Sequence, residues 1–354
     1  MRSPLLFCLA VLFLMNSTLP VSATEPVTLE NVTAPGVNAK DEPLAKQFSL
    51  DKAVHFLDSA AINWQKKRKC FACHTNHAYL YARPMISSKN VTHKTVRSFA
   101  EQLVTERWKK KGPRSDTEVV TTAAALAFND AATTNKLHTT TKKALDKIWT
   151  VQRDDGGFDW LICGWPPMES DDHYGATLAA IAVGIAPDKY EKSDTAKAGL
   201  ANIAKYLAAN PAPALHHEAM ILWANSTLDT PVVQQDKQDI VKKLLALQKA
   251  DGGWGLATLG GKFWKRGNGK EQDFKTSDGY GTGFVIFILR QAGVNASNPQ
   301  IQKGLAWLKL NQRTSGRWFT RSLKKDSKHY ITHAGTAFAI MAIQSCEERR
   351  VSVK

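Results

Sequence analysis

Two cysteines three positions apart, followed at once by a histidine, form the most specific chemical pattern in this 354-residue chain. The pattern reads Cys70-Phe-Ala-Cys73-His74. It is the attachment signature of c-type haem, in which both thiols form thioethers and the imidazole ligates iron. A haem here predicts redox chemistry or electron transfer with a redox partner. The sequence offers five candidates for the second axial ligand: His77, Met85, His93, Met168 and His217.

Two other chemistries fit the same pattern. A zinc ion takes cysteine and histidine ligands, so Cys70, Cys73 and His74 would need one distant fourth ligand. The two thiols could instead form a disulfide or a redox pair. Two further cysteines, Cys163 and Cys346, are a permitted disulfide pair that the sequence does not establish.

A second group of candidate residues is acidic or imidazole-bearing and recurs where apolar segments begin. Helix capping explains Asp116 and Asp278 as well as a cavity role does, because aspartate favours helix N-termini. It accounts poorly for histidines, since a positive charge there opposes the helix dipole. We therefore predict a polar central cavity in which a ligand is held by six side chains: Asp171, Asp172, His173, His217, Asp278 and His333.

The elements that position these residues follow from a repeat. Gln, three residues, Gly, one residue and an aromatic ring occur at 152–158, 248–254 and 312–318. Each copy closes an amphipathic helix, and the glycine can take the left-handed backbone that ends a helix. This is the QW motif, and the chain resembles the terpenoid cyclase and prenyltransferase α/α-toroid superfamily. A degenerate copy at 65–71 overlaps the cysteine pattern.

Helical periodicity agrees with the all-α fold that the resemblance implies, a closed (α/α)6 toroid of six helix pairs. Six amphipathic segments are predicted as outer helices: 51–69, 91–110, 136–152, 194–209, 236–248 and 298–311. Six segments that are apolar nearly all round are predicted as inner helices: 77–87, 121–128, 175–183, 215–226, 281–289 and 333–341.

The resemblance also implies a chemistry. Glu169-Ser-Asp171-Asp172 is similar to the Asp-x-Asp-Asp motif of squalene-type cyclases, whose middle aspartate is held protonated to protonate an alkene, so the role would pass to Asp171. The leading residue departs from that motif, His173 follows it directly, and one toroid replaces two. The inner segments also offer mainly Ala, Thr and Gly where such a pocket needs aromatic walls. The zinc site of prenyltransferases lacks its cysteine beside Asp278.

These departures leave three further functions open. One is a divergent terpenoid cyclase, and another is a module that binds an apolar or acidic ligand without turnover. The third is polysaccharide cleavage by paired carboxylates. Four residues could supply such a pair: Asp171, Asp172, Glu218 and Asp278.

The chain ends and the charge complete the predictions. Residues 1–23 read as a signal peptide, 24–46 as a flexible leader and 47–350 as the toroid domain, which predicts an exported protein. The formal net charge of +15 occurs without basic runs that alternate with aromatic residues, so we expect no nucleic-acid partner. Contact with an anionic membrane or polymer fits the charge. The Gly- and Lys-rich stretch 256–275 is expected to fold over one rim.

Overall fold

The computed structural model describes residues 25–87 and 90–347, and the regular secondary-structure elements of that part are helices. The predicted signal peptide lies outside the described residues. The outer helices are α1 (Leu50–Arg68), α3 (Val91–Gln102, continued to α4, Trp108–Lys111), α6 (Thr139–Trp149), α8 (Asp194–Ala209), α10 (Lys237–Ala246) and α13 (Pro299–Asn311). The inner helices are α2 (Ala78–Ala82), α5 (Asp116–Thr133), α7 (Asp172–Ile185), α9 (Leu215–Thr227), α12 (Gly279–Gln291) and α14 (Ile331–Glu347). A short helix, α11 (Leu256–Gly260), lies in the long connection before α12.

The inner helices form a closed ring. Each packs against its neighbours in the order α2, α5, α7, α9, α12 and α14, and α14 packs back against α2. Their mostly buried side chains explain why these segments are apolar nearly all round. The all-α toroid of six helix pairs is therefore confirmed. Within residues 25–87 and 90–347, no helix combines the length and the apolar character needed to cross a membrane.

Aromatic side chains fill the centre of the ring. Phe128 packs against Tyr81 with ring centroids 4.5 Å apart and against Trp223 at 5.4 Å. Trp223 contacts Phe287, and Phe338 contacts both. The expectation that Ala, Thr and Gly line the interior is wrong for this layer, because each inner helix contributes few rings and only the closed ring brings them together.

The three glutamine-glycine-aromatic segments form the same turn, and each turn fastens two outer helices. The Gln312 amide donates to the carbonyl of Gly316 (3.0 Å) and to that of Ser49, the N-cap of α1 (2.8 Å). Gly316 has φ 95°, and a Cβ there would lie 2.2 Å from the carbonyl oxygen of Lys52. Trp318 donates its indole N–H to Leu308. Because this turn joins the last outer helix to the first, it closes the outer ring.

The segment that precedes α1 lies against the toroid. Val27 is buried in the core, and its carbonyl accepts a hydrogen bond from the Thr92 hydroxyl. Glu42 forms an ion pair with Arg317 (2.6 Å), and Leu44 makes a short antiparallel pairing with Arg313. Residues 25–46 thus make specific contacts with the toroid.

Candidate functional site

The turn between α1 and α2 holds the cysteine pattern, and its backbone departs from the other turns. Lys69, at the position of the glycine, takes the left-handed conformation with φ 48°. Cys73–His77 then forms a π-helical turn that leads into α2. Such turns are rare and are frequent at functional sites, because one extra residue in the turn redirects the side chains.

The structure does not bring Cys70, Cys73 and His74 to one cavity. The sulfur of Cys70 accepts a hydrogen bond from the Trp64 indole (3.2 Å), and Cys70 lines an open groove beside Phe99. His74 lines a different cavity. Burial raises the pKa of the Cys73 thiol, which keeps it protonated. Across residues 25–87 and 90–347, no three His, Cys, Asp or Glu side chains form a metal-sized cluster.

All four cysteines of the described residues are free thiols. Cys163 precedes α7, at the rim where the inner helices begin, and Cys346 lies at the end of α14. Because the inner helices run in parallel around the ring, these thiols lie at opposite rims and do not pair.

The cavity at His74 has a volume of about 280 Å³. Its walls combine aromatic, ionisable and apolar side chains: Trp64, Arg68, His74, Trp165, Pro166, Met168, Glu169, Ser322, Lys328, Tyr330 and Ile331. The His74 ring stacks on Tyr330 with centroids 5.5 Å apart and meets Trp64 edge-on at 4.8 Å. Burial lowers the pKa of His74 to about 4, whereas burial raises the pKa of Glu169. The cavity therefore holds a neutral imidazole and a carboxyl group whose pKa is moved towards neutrality.

Of the five candidate axial ligands, the structure places Met168 in the His74 cavity. His77 is buried beneath Phe71, with ring centroids 4.4 Å apart. His93 accepts a hydrogen bond from the Asn129 amide (2.6 Å). Met85 lies beyond the other end of α2 and His217 contacts Asp171, so neither shares the cavity.

A chain of hydrogen bonds runs from His74 into the toroid wall. Nδ1 of His74 is 2.7 Å from the Thr75 hydroxyl, which is 2.9 Å from Nδ1 of His333. Nε2 of His333 is 3.2 Å from the side-chain amide nitrogen of Asn38. Burial lowers the pKa of His333 to about 3, so both imidazoles are neutral. His333, predicted as a ligand-holding residue, thus reaches the cavity through Thr75.

Asp171, His173 and His217 form a second cluster beside this cavity. Nε2 of His217 donates to the carboxylate of Asp171 (3.1 Å to each oxygen), and the His173 ring meets His217 edge-on at 5.2 Å. Burial raises the pKa of Asp171, but hydrogen bonds from His217, Ser170 and the backbone outweigh it, so the pKa lies below the usual value. An acid that protonates an alkene needs the opposite shift, which argues against that role for Asp171.

His173 stands out in this cluster because its imidazole is unsatisfied. Both ring nitrogens are buried and have no hydrogen-bond partner among the described residues. Burial lowers the pKa of His173 to about 4. Buried polar atoms without partners are rare in proteins, so they mark this rim as a place where a ligand would find donors or acceptors.

Asp172 and Asp278 lie apart from both groups. Asp172 forms an ion pair with Arg153 (3.0 Å) in the turn that follows α6. Asp278 caps α12 by accepting from the backbone N–H of Gly281, and it also accepts from Leu256. Burial raises its pKa to about 6. Capping therefore accounts for Asp278, as it does for helix N-termini in general.

The connection after α11 folds over the second cluster. The Phe263 ring meets the His217 ring edge-on with centroids 5.6 Å apart, and the ring centroids of Trp264 and His216 are 5.2 Å apart. His216 in turn is 3.2 Å from the hydroxyl of Tyr280. The expectation that 256–275 folds over a rim agrees with these contacts, and the segment separates the histidines from solvent.

Three residues of this rim were not predicted as site residues from the sequence: Asn38, Thr75 and Tyr330. Glu169 was named only as the departing first residue of the acidic motif, and Tyr330 lies three positions before His333. Asn38 and Thr75 have no sequence signal, because their partners are distant in the chain.

No model of a known protein family matches the chain, and no curated protein sequence does. Solved structures do resemble it. A polysaccharide lyase superposes with a TM-score of 0.52 at 10% identity, covering 86% of this chain and 99% of its own. The ent-copalyl diphosphate synthase from Streptomyces platensis gives 0.49 at 14% identity over 77% of this chain and 50% of its own. The α-1,6-mannanase from Salegentibacter gives 0.48 at 11% identity over 84% and 98%. At these identities the likeness is one of fold, the α/α toroid.

Proposed function

We propose that this protein is an enzyme that binds a small carbonyl- or carboxylate-bearing ligand in the His74 cavity and catalyses proton transfer on it. One observation carries the proposal: two ionisable groups, His74 and Glu169, line one cavity, and burial favours the uncharged form of each. Burial raises the pKa of Glu169 and lowers that of His74 to about 4. Ionisable groups that share a cavity and whose pKa values are perturbed there are candidates for acid–base sites.

The roles follow from the directions of these shifts. Burial raises the pKa of Glu169, which makes its carboxylate a stronger base, so we assign it the role of proton acceptor. His74 stays uncharged and can contact the ligand without adding a charge. Proton abstraction beside a carbonyl or carboxylate group needs these two parts, a base and a group that stabilises the oxygen where charge develops.

The walls of the cavity favour such a ligand. Trp64, Trp165 and Tyr330 offer ring faces or edges, and the cations of Arg68 and Lys328 stand at the same cavity. Aromatic walls bind apolar faces, while guanidinium and ammonium groups bind carboxylates. The volume of about 280 Å³ suits a small molecule or one unit of a longer chain.

The test is proton exchange in heavy water. The protein is incubated with a panel of keto acids and carboxylate-bearing oligosaccharides, and NMR follows deuterium incorporation at the carbon beside the carbonyl or carboxylate. We expect exchange on at least one compound, and Glu169→Gln to remove it. The matched control is Glu101→Gln, since Glu101 pairs with Arg97 and does not line the cavity, and its loss should leave exchange intact. Absence of exchange across the panel, or unchanged exchange in Glu169→Gln, contradicts the proposal.

Haem attachment is a second candidate, favoured by one observation: His74 and Met168 line the same cavity, as an axial ligand pair would. As the side chains lie, the residues do not fit a haem, because Cys70 opens onto a separate groove. Protein produced in a host that attaches haem c decides the matter. A Soret band that disappears in Cys70→Ser with Cys73→Ser supports haem, and its absence with both thiols intact excludes it.

We also propose that the chain is exported and that residues 1–23 are removed. N-terminal sequencing of protein recovered from outside the cytoplasm should begin at Thr24. Recovery of the intact N-terminus from the cytoplasm alone would contradict export.

A further inference from the structure

Asn38 stands at the far end of the hydrogen-bond chain that leads to His74, and its amide has one possible orientation. The oxygen Oδ1 lies 2.5 Å from an Arg317 guanidinium nitrogen, which only donates. The nitrogen Nδ2 lies 3.2 Å from the carbonyl oxygen of His329, which only accepts. A flipped amide would face a donor with its own donor and an acceptor with its own acceptor. Asn38 therefore presents N–H to His333.

That orientation fixes the tautomer of His333. Its Nε2 must accept from Asn38, so the single ring proton is on Nδ1, because burial keeps the imidazole neutral. Nδ1–H then donates to the Thr75 hydroxyl (2.9 Å). The imidazole accepts at one nitrogen and donates at the other, so the hydrogen bonds on its two sides point the same way along the chain.

Thr75 has one hydroxyl proton, and Nδ1 of His74 lies within hydrogen-bond distance to accept it. Since its oxygen accepts from His333, the O–H donates to Nδ1 of His74 (2.7 Å). Nδ1 of His74 is then unprotonated, and the neutral ring carries its proton on Nε2. Nδ1 is engaged with Thr75, so Nε2–H is the group that His74 has left to offer a ligand.

We propose that Asn38 is a positioning residue that holds His74 as a hydrogen-bond donor, so that the cavity selects an oxygen acceptor such as a carboxylate. The ligand class rests on the proposed function, whereas the tautomer does not. Arg68 and Lys328 at the same cavity fit an anionic acceptor. Iron or zinc would need an unprotonated Nε2, so this arrangement favours the acid–base proposal over metal ligation.

The tautomer is measured directly by NMR. Ring carbon and nitrogen shifts of labelled histidine distinguish Nε2–H from Nδ1–H, and a His74→Gln sample identifies the signal of His74. We expect Nε2–H in the unmodified protein. A His74 that carries its proton on Nδ1 overturns the proposal without any variant, and hence without any question of folding.

Asn38→Asp keeps the shape of the side chain and should reverse the direction of the hydrogen bonds that lead from position 38 to His74. A carboxylate at position 38 only accepts; it keeps the pair with Arg317 and loses the bond to the His329 carbonyl. A His333 that stays neutral beside it must place its proton on Nε2. Its Nδ1 then accepts from Thr75, and His74 becomes Nδ1–H. We expect both histidine signals to change tautomer together. An unchanged His74 tautomer in a folded Asn38→Asp protein whose His333 carries one ring proton by NMR overturns the role of Asn38.

The ligand class is tested with benzoate, an aromatic carboxylate, by calorimetry. Thr75→Val removes the hydroxyl without adding charge, and we expect roughly tenfold weaker binding, with recovery in Thr75→Ser. Equal affinity in Thr75→Val and the unmodified protein contradicts the donor role of His74. Should benzoate fail to bind at all while NMR shows Nε2–H, the ligand class fails and the tautomer assignment stands.

Discussion

The turn after α13 and the turn after α1 occupy equivalent places in the ring but differ in how their polar groups are used. In the first, the Gln312 amide bonds two carbonyls and accepts from the Ser49 N–H. In the second, the Gln65 side-chain oxygen is buried with no hydrogen-bond partner among the described residues. The turn after α13, whose glutamine makes all these hydrogen bonds, holds two helices together. The turn after α1, whose glutamine oxygen has none, leads into the π-helical turn at Cys73–His77 and the cavity. The comparison indicates that the turn after α1 borders a candidate site and does not fasten two outer helices through its glutamine.

The largest loss of stability should come from replacing the glycine of the turn after α13. Gly316→Ala places a Cβ 2.2 Å from the Lys52 carbonyl at φ 95°, so we expect a loss of about 3 kcal/mol or more in the free energy of unfolding. Chemical denaturation measures it. Gly269→Ala is the control, because it shares a positive φ (71°) but meets no atom within 4 Å, and it should cost only about 1 kcal/mol. Equal losses would show that the close approach at Gly316 is unimportant.

The two glutamines provide the next test. Gln312→Ala removes two donated bonds and one accepted bond and should cost about 2 to 3 kcal/mol. Gln65→Ala should change the free energy of unfolding by less than about 0.5 kcal/mol, because its oxygen has no bond to lose. If Gln65→Ala is as damaging as Gln312→Ala, the two turns are equivalent and the comparison fails.

The turn after α1 should also make the stability of the protein depend on pH. Burial lowers the pKa of His77 from 6.5 to about 3, so the unfolded chain binds this proton first as pH falls. The contribution of His77 to the free energy of unfolding is fully present above pH 6.5. It is lost as pH falls towards 3, at up to roughly 1.4 kcal/mol per pH unit. His77→Phe should flatten this slope by one proton when unfolding is followed from pH 4 to 7. The same slope with and without His77 would mean that this ring is accessible to protons in the folded state.

The smallest expected effect is a gain. Lys69 takes φ 48°, which a side chain tolerates poorly, so Lys69→Gly should stabilise the protein by up to about 1 kcal/mol. Thermal unfolding under matched conditions measures the change. A loss of stability would indicate that the Lys69 side chain makes a contribution that outweighs its backbone strain.

Helical period predicted the ring because it is a local property. Outer helices such as 194–209 show one polar face, and α8 spans those residues. The site depends instead on contacts between distant residues. Asn38 and His333 are 295 positions apart, and nothing near Asn38 announces its partner. The aromatic centre was missed for the same reason, since Phe128 and Trp223 lie on different helices and meet only when the ring closes. Aspartates at helix starts were ambiguous, because capping and catalysis use the same residue type, as Asp278 and Asp171 show.

The bond between Gln312 and Ser49 joins residues 263 positions apart, and this bears on how the chain reaches its native state. Helix pairs in an open solenoid can add one after another, each stabilised by its predecessor. Here the last pair must also meet the first, so a growing or refolding chain keeps an unpaired face at each end until the final helices are available. The entropy cost of closing this long loop therefore arises late in folding. Until then the incomplete ring exposes apolar surface and is the species that most readily associates with other copies. A circular permutant cut between two other helix pairs would make this contact local and move the seam elsewhere.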